Sequence, residues 1–177
     1  MLNSRREFLT AFKKPLDNQK EEAVIRPPYG KNESLFLSKC IECETKDCAT
    51  SCEEGIIIIK ADGTPTLNFQ KSGCTFCEEC AKKCTKDVLS LENTHTKDII
   101  NANFSIIIEA CMAHNKTICF SCKEPCIDDA ILFNGMFNPV IDSDRCTGCG
   151  FCMSRCPTSA IVFKATNIKE REDELKG

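Results

Sequence analysis

The body of this chain alternates short apolar runs with turn signals. Gly55-Ile56-Ile57-Ile58-Ile59-Lys60 is followed by Ala61-Asp62-Gly63 and then by Thr64 to Phe69. That pattern predicts strand, turn, strand, with Asp-Gly as the hairpin signal. The plan recurs at Ala130-Ile131-Leu132-Phe133, Asn134-Gly135 and Asn138-Pro139-Val140-Ile141-Asp142. Two further runs, Val88-Leu89-Ser90-Leu91 and Ala160-Ile161-Val162-Phe163, fit a second hairpin in each half. The body therefore reads as a repeat with a period of roughly 70 residues. Residues 1–32 form an arm that ends in Arg26-Pro27-Pro28-Tyr29-Gly30, an extended and stiff linker by its prolines and glycine. Residues 169–177 form a charged tail, expected to be a solvated helix or disordered. The longest apolar candidate, around Phe104 to Ile108, is far too short to span a bilayer.

Cysteine changes the picture. Sixteen of the 177 residues are cysteines, and they fall into four groups of four: Cys40-Cys43-Cys48-Cys52, Cys74-Cys77-Cys80-Cys84, Cys111-Cys119-Cys122-Cys126 and Cys146-Cys149-Cys152-Cys156. The second and fourth read C-x2-C-x2-C-x3-C, the thiolate run that wraps a [4Fe–4S] cluster in bacterial ferredoxins, and Pro157 follows the fourth. A disulfide scaffold needs an oxidising compartment and export. Structural zinc sites mostly use two separated ligand pairs. Here four ligands crowd within 11 to 16 residues, four times over. Short helices are expected after the fourth cysteine of each group. The fold class that follows is α+β: two tandem pseudo-twofold ferredoxin-like modules, 33–95 and 96–168, each built around two [4Fe–4S] clusters.

In two-cluster ferredoxins the fourth cysteine of one run ligates the other cluster. Applied here, cluster one takes Cys40, Cys43, Cys48 and Cys84, and cluster two takes Cys74, Cys77, Cys80 and Cys52. Cluster three takes Cys111, Cys119, Cys122 and Cys156, and cluster four takes Cys146, Cys149, Cys152 and Cys126. Group one has four residues between its second and third cysteines, and group three has seven between its first and second. In that long loop two other readings stand: Cys111 as a buried free thiol, and His114 as a substitute ligand. Phe76, Phe120 and Phe151 each sit inside a Cys-x-x-Cys step, where rings pack and exclude water. Gly148 and Gly150 make positive φ available, so that amides can turn toward the sulfurs.

Composition bounds the function. There is no tryptophan, one tyrosine, and 42% apolar residues with cysteine included. The cofactors are therefore expected to form much of the core, and their loss to unfold the chain. Formal charge is −3. Four oxidised clusters with their thiolates would bring it to about −11. That excludes a nucleic-acid partner, which needs a basic face. No Walker loop, G-x-G-x-x-G run or nucleophile motif is present, so an independent enzyme is not expected. Ser4-Arg5-Arg6-Glu7-Phe8-Leu9 looks like a twin-arginine export signal, yet the residues that follow are charged and include Pro15. They cannot supply the apolar h-region a signal needs, so a cytoplasmic location without membrane insertion is expected.

Several features together resemble the NapF family of ferredoxin-type proteins, which accompanies periplasmic nitrate reductase. They are the twin-arginine-like start, Ile25-Arg26-Pro27-Pro28-Tyr29, Glu33-Ser34-Leu35-Phe36-Leu37, the C-x7-C-x2-C-x3-C third group and Cys146-Thr147-Gly148-Cys149-Gly150-Phe151-Cys152. The extra residues in group one depart from the tighter run usual in that family. The resemblance implies a cytoplasmic accessory protein that binds the molybdenum-containing catalytic subunit of nitrate reductase and assists its maturation before export, with clusters or electrons as its supply. Arg5, Arg6 and Arg26 are the expected docking residues. Two other functions fit the same cysteines: an electron-transfer subunit or carrier for a molybdenum oxidoreductase, and an iron or oxygen sensor.

Overall fold

The computed structural model describes residues 24–92 and 100–166. Arg5 and Arg6, and the charged tail at 169–177, lie outside the described residues. The elements are short. Helix α1 (Glu33–Leu35) runs into a wider π-helical turn (Phe36–Cys40), and α2 (Asp47–Thr50), α3 (Glu79–Lys82) and α4 (Phe151–Arg155) follow along the chain. The strands are β1 (Ile57–Ile59), β2 (Pro65–Leu67), β3 (Ala102–Ile106), β4 (Ile131–Asn134), β5 (Phe137–Ile141) and β6 (Ile161–Ala165).

Both expected inner hairpins form, as antiparallel β1–β2 and β4–β5. Gly63 and Gly135 in their turns have positive φ. The outer pairs differ between the halves. In the second, β6 pairs with β3, so that Phe163 lies opposite Phe104. In the first, the run at Val88–Ser90 pairs with residues 29–31: Lys31 N–H donates to Val88 O (3.1 Å), Ser90 N–H donates to Tyr29 O (2.9 Å), and Gly30 bridges Leu89.

Two expectations need correction here. Residues 24–31 are not a free linker. Ile25, Arg26 and Tyr29 are buried, and Leu67 N–H donates to Ile25 O at 3.1 Å. The chain turns at Pro28 and Tyr29, the latter left-handed at φ 68°, and the residues that follow lie against Val88–Ser90. The helices also lie elsewhere than expected. α2, α3 and α4 carry the third cysteines Cys48, Cys80 and Cys152 and end before the fourth. The residue preceding each of these helices is left-handed: Lys46 (φ 50°), Glu78 (φ 67°) and Gly150 (φ 85°). That turn reverses the chain after the second cysteine and starts the helix at once, so the third sulfur comes back over the same cavity.

One buried cluster runs through both halves. A trio of rings joins the halves there: Phe69 from the first meets buried Phe104 (centroids 5.5 Å apart, edge-on) and half-buried Phe163 (5.8 Å) from the second. Gly150 lies beneath Phe69, and a Cβ there would come within 2.2 Å of Cδ1 of that ring. Asn101 fastens the first described residues to the second half. Its side-chain N–H groups donate to Val24 O (2.9 Å) and Thr166 O (3.0 Å), and its Oδ1 accepts from Arg26 N–H (2.8 Å).

Arg26 is itself corrected as a docking residue. It is 2% exposed. Its guanidinium pairs with Glu33, donates to Thr64 Oγ1 (2.9 Å) and Pro65 O (2.7 Å), and lies 4.9 Å from the centre of the Phe36 ring. Thr64 donates its own hydroxyl to Asp62 Oδ1 (2.7 Å). A guanidinium so buried, with four of its five N–H donors committed inside the fold, is not presented to a partner, so Arg26 is a structural residue.

Candidate iron–sulfur sites

Among the described residues are four open-sided clefts that are each lined by four cysteines. Site 1 has Cys40, Cys43, Cys48 and Cys84. Site 2 has Cys74, Cys77, Cys80 and Cys52. Site 3 has Cys111, Cys119, Cys122 and Cys156. Site 4 has Cys146, Cys149, Cys152 and Cys126. All sixteen thiols are free of disulfides. The helices explain the crossing. Cys48 and Cys52 stand four residues apart on and just past α2, about 6 Å along a helix axis, and line sites 1 and 2 respectively. Cys80 and Cys84 do the reverse from α3, which packs against α2. Cys152 and Cys156 divide between sites 4 and 3 in the same way.

Contact also runs between the halves. Cys74 N–H of site 2 donates to Cys149 O of site 4 at 2.7 Å. Gly73 packs so closely there that a Cβ would fall 2.5 Å from Phe151 N. Site 2 thus adjoins site 1 through the helix pair and site 4 through this backbone contact.

The donor set suits iron–sulfur chemistry. Backbone N–H groups donate to the fourth-cysteine sulfurs: Leu89 to Cys84 (3.4 Å), Ala130 to Cys126 (3.3 Å) and Ala160 to Cys156 (3.2 Å). Phe76 N–H donates to Cys74 Sγ (3.4 Å). Such bonds favour the charged thiolate and tune a bound cluster. Burial, reinforced by neighbouring thiolates, pushes the Cys80 thiol up to about 12. Burial likewise takes Cys74 up to about 12, and Cys48, Cys122 and Cys149 up to about 11. Cys152 moves in the same direction. At Cys156 burial raises the value, but hydrogen bonds from Thr158, Ala160 and Ile161 outweigh it and the net shift is downward. Crowded, dry sulfurs of this kind need positive charge among them to ionise, and iron supplies it. A single ion needs its donors around one point. Among the described residues no three His, Cys, Asp or Glu are placed that way.

Cys111 stands in the lining of site 3 with the other three cysteines, whereas His114 lies outside it, its Nε2 3.0 Å from Pro139 O. Phe76 lines site 2, and Phe120 packs on Phe133 with centroids 4.8 Å apart. Gly148 and Gly150 both have positive φ. Phe76 and Glu78 repeat that geometry in group two without being glycines, and no residue type announced it. Lys46 in the wall of site 1, and Asn101 beneath the fold, were also silent in the sequence.

Residues 139–162 match the Fer4 4Fe-4S binding domain. The ferredoxin-type protein NapF of Escherichia coli K12 is 36% identical over 163 residues, covering 90% of this chain and 93% of the relative. NapF of Haemophilus influenzae is 31% identical over 178 residues, covering 95% and 96%. The methylamine utilization ferredoxin-type protein MauM of Methylophilus methylotrophus is 30% identical over 180 residues, covering 88% and 77%. The chain is therefore a [4Fe–4S] protein, and, being so nearly coextensive with these relatives, it belongs to the NapF family of ferredoxin-type proteins.

Proposed function

We propose that each of the four cysteine sets ligates one [4Fe–4S] cluster. Two tandem modules result: residues 33–95, completed by the segment 24–31, and residues 96–168. The clusters, when bound, supply one-electron redox chemistry. The chain's own part is to fix the thiolates, to point amides at their sulfurs, and to exclude water with Phe76 and the Phe69–Phe104–Phe163 trio.

On this reading the protein is a cytoplasmic accessory factor for the molybdenum-containing catalytic subunit of periplasmic nitrate reductase. It assists that subunit's maturation before export, and Arg5 and Arg6 dock it. The observation that carries the reading is a family likeness spanning 90% of the chain, joined to four four-cysteine cavities. Among the described residues no helix is long and apolar enough to cross a membrane. The test is anaerobic co-purification with the catalytic subunit in two forms. Preference for the precursor lacking its cofactor supports maturation, and equal or greater retention by the finished enzyme overturns it.

A second reading, an electron carrier or electron-transfer subunit, is favoured by the Cys74–Cys149 contact, which brings sites of different halves side by side. It predicts that the protein couples to turnover of the finished enzyme.

A further inference from the structure

Group one carries two more residues than groups two and four between its second and third cysteines, and the structure shows what they deliver. Lys46 caps α2 in the left-handed conformation, the position held by Glu78 before α3 and by Gly150 before α4. Its side chain turns back along the loop and its ammonium donates to Cys40 O and to Gly63 O (2.8 Å). Both partners are neutral carbonyls. Lys46 is half-buried in the wall of site 1, held there by the first cysteine of the set it faces.

The charges lining the four sites differ. Site 1 has Lys46, Lys83 and Lys86 against Asp47, whose carboxylate accepts from Thr45 Oγ1 at 2.8 Å. Site 2 has Glu53, Glu54 and Glu78. Glu78 pairs with Lys82 (3.5 Å), and Glu54 accepts from Ser72. Site 4 has Asp128, which accepts from Thr147 Oγ1 at 2.6 Å. Site 3 is lined by no charged side chain other than its thiols. Reduction adds one negative charge to a site. A fixed cation in the wall favours that state and fixed carboxylates oppose it, most strongly where burial limits screening.

We propose that Lys46 is a potential-setting residue, whose tethered cation makes site 1 the first of the four sites to accept an electron. The inference rests on the reading that all four sites hold clusters. The change is one electron gained by site 1 and one lost by a low-potential one-electron donor, which is dithionite in the assay. No bond forms or breaks.

The experiment is an anaerobic redox titration of the full-length protein followed by EPR, with iron and sulfide measured on the same sample. Replacing Lys46→Gln makes the first signal to appear harder to reduce. Its reduced-to-oxidised ratio at a fixed potential falls at least tenfold, a shift of about 59 mV for a one-electron couple. The later signals stay in place. Lys46→Arg restores the wild-type position, which a role in folding alone does not predict. Lys86→Gln, at an exposed position on the same rim, shifts the first signal in the same direction by less. An unmoved first signal in a fully loaded Lys46→Gln protein overturns the proposal, as does an equal shift of every signal. If Lys46→Gln loses iron, Lys86→Gln decides, and an unmoved first signal there overturns it. Wild-type protein with far fewer than four clusters' worth of iron overturns the underlying reading of the sites instead, and the role of Lys46 with it.

Discussion

Replacing Gly150→Ala tests whether the loop of group four and the packing of the two halves are one feature. At φ +85° any residue with a Cβ is strained, by about 1 to 2 kcal/mol. The new methyl would also lie 2.2 Å from Cδ1 and 2.5 Å from Cγ of Phe69. That ring cannot yield freely, because Phe104 and Phe163 hold it edge-on from two sides. Overpacking of this kind adds about 1 to 3 kcal/mol. The total is about 2 to 5 kcal/mol. Gly55 supplies the control. It too is left-handed, at φ +62°, but nothing lies within 4 Å of its Cβ position. Gly55→Ala therefore carries the backbone strain alone, about 1 to 2 kcal/mol. Anaerobic urea denaturation, followed by far-UV circular dichroism and by the visible absorbance of the clusters, measures both variants. Gly150→Ala should have the lower midpoint, and its cluster absorbance should be lost along with the protein signal. Equal midpoints for the two variants would mean that the steric part of the argument is wrong.

Phe69→Ala removes the ring that joins the halves and should cost about 3 to 5 kcal/mol by the same denaturation assay; a loss under 1 kcal/mol would place the inter-half contact elsewhere. Arg26→Met strips the donor from Thr64 Oγ1 and Pro65 O. It should destabilise by about 1 to 3 kcal/mol without weakening partner capture in a pull-down. Reversing charge at Arg5 and Arg6 should weaken that capture and leave the denaturation midpoint where it was; unchanged capture would discard the docking role. Anaerobic removal of iron with a chelator under reducing conditions should abolish the cooperative unfolding transition, and persistence of dispersed amide resonances in the stripped protein would contradict it.

Much of the fold was legible because its determinants are local. Asp62-Gly63 and Asn134-Gly135 announce the inner hairpins through turn chemistry alone. The cysteine spacings mark the sites because a loop can bring three sulfurs around one cavity only at short intervals. What stayed hidden depends on neighbours distant in sequence. Residues 24–31 read as a linker because Pro27 and Pro28 exclude a helix, yet a turn at Pro28-Tyr29 carries residues 29–31 into pairing with Val88–Ser90. Arg26 read as a surface cation because arginine is seldom buried. Its burial is decided by Glu33, Thr64 and Pro65, the last two nearly forty positions along the chain. The helices were expected after the fourth cysteines. The left-handed turns that start them earlier fall on Lys46 and Glu78, residue types that carry no signal for that conformation.

The sharing of each helix between two sites predicts that the fold depends on metal. Cys48 on α2 and Cys52 just past it line different cavities, as do Cys80 on α3 and Cys84 just past it. Disturbing one cavity therefore displaces a ligand of the other. Burial raises the thiols inside these cavities, to about 12 at Cys74 and Cys80. Against an unperturbed value of 9.0, a raised thiol favours the fold only while it keeps its proton. Any stability of an iron-free fold is thus complete below pH 9 and drains away as the pH climbs toward 12. Iron reverses the sense of that dependence, since it displaces the protons and binds the thiolates. The cluster-loaded protein should accordingly hold its denaturation midpoint as the pH rises above 9, over the range where the contribution of protonated thiols drains away. A midpoint that falls steeply across that range in loaded protein would mean that the thiols, and not iron, carry the charge balance of the core.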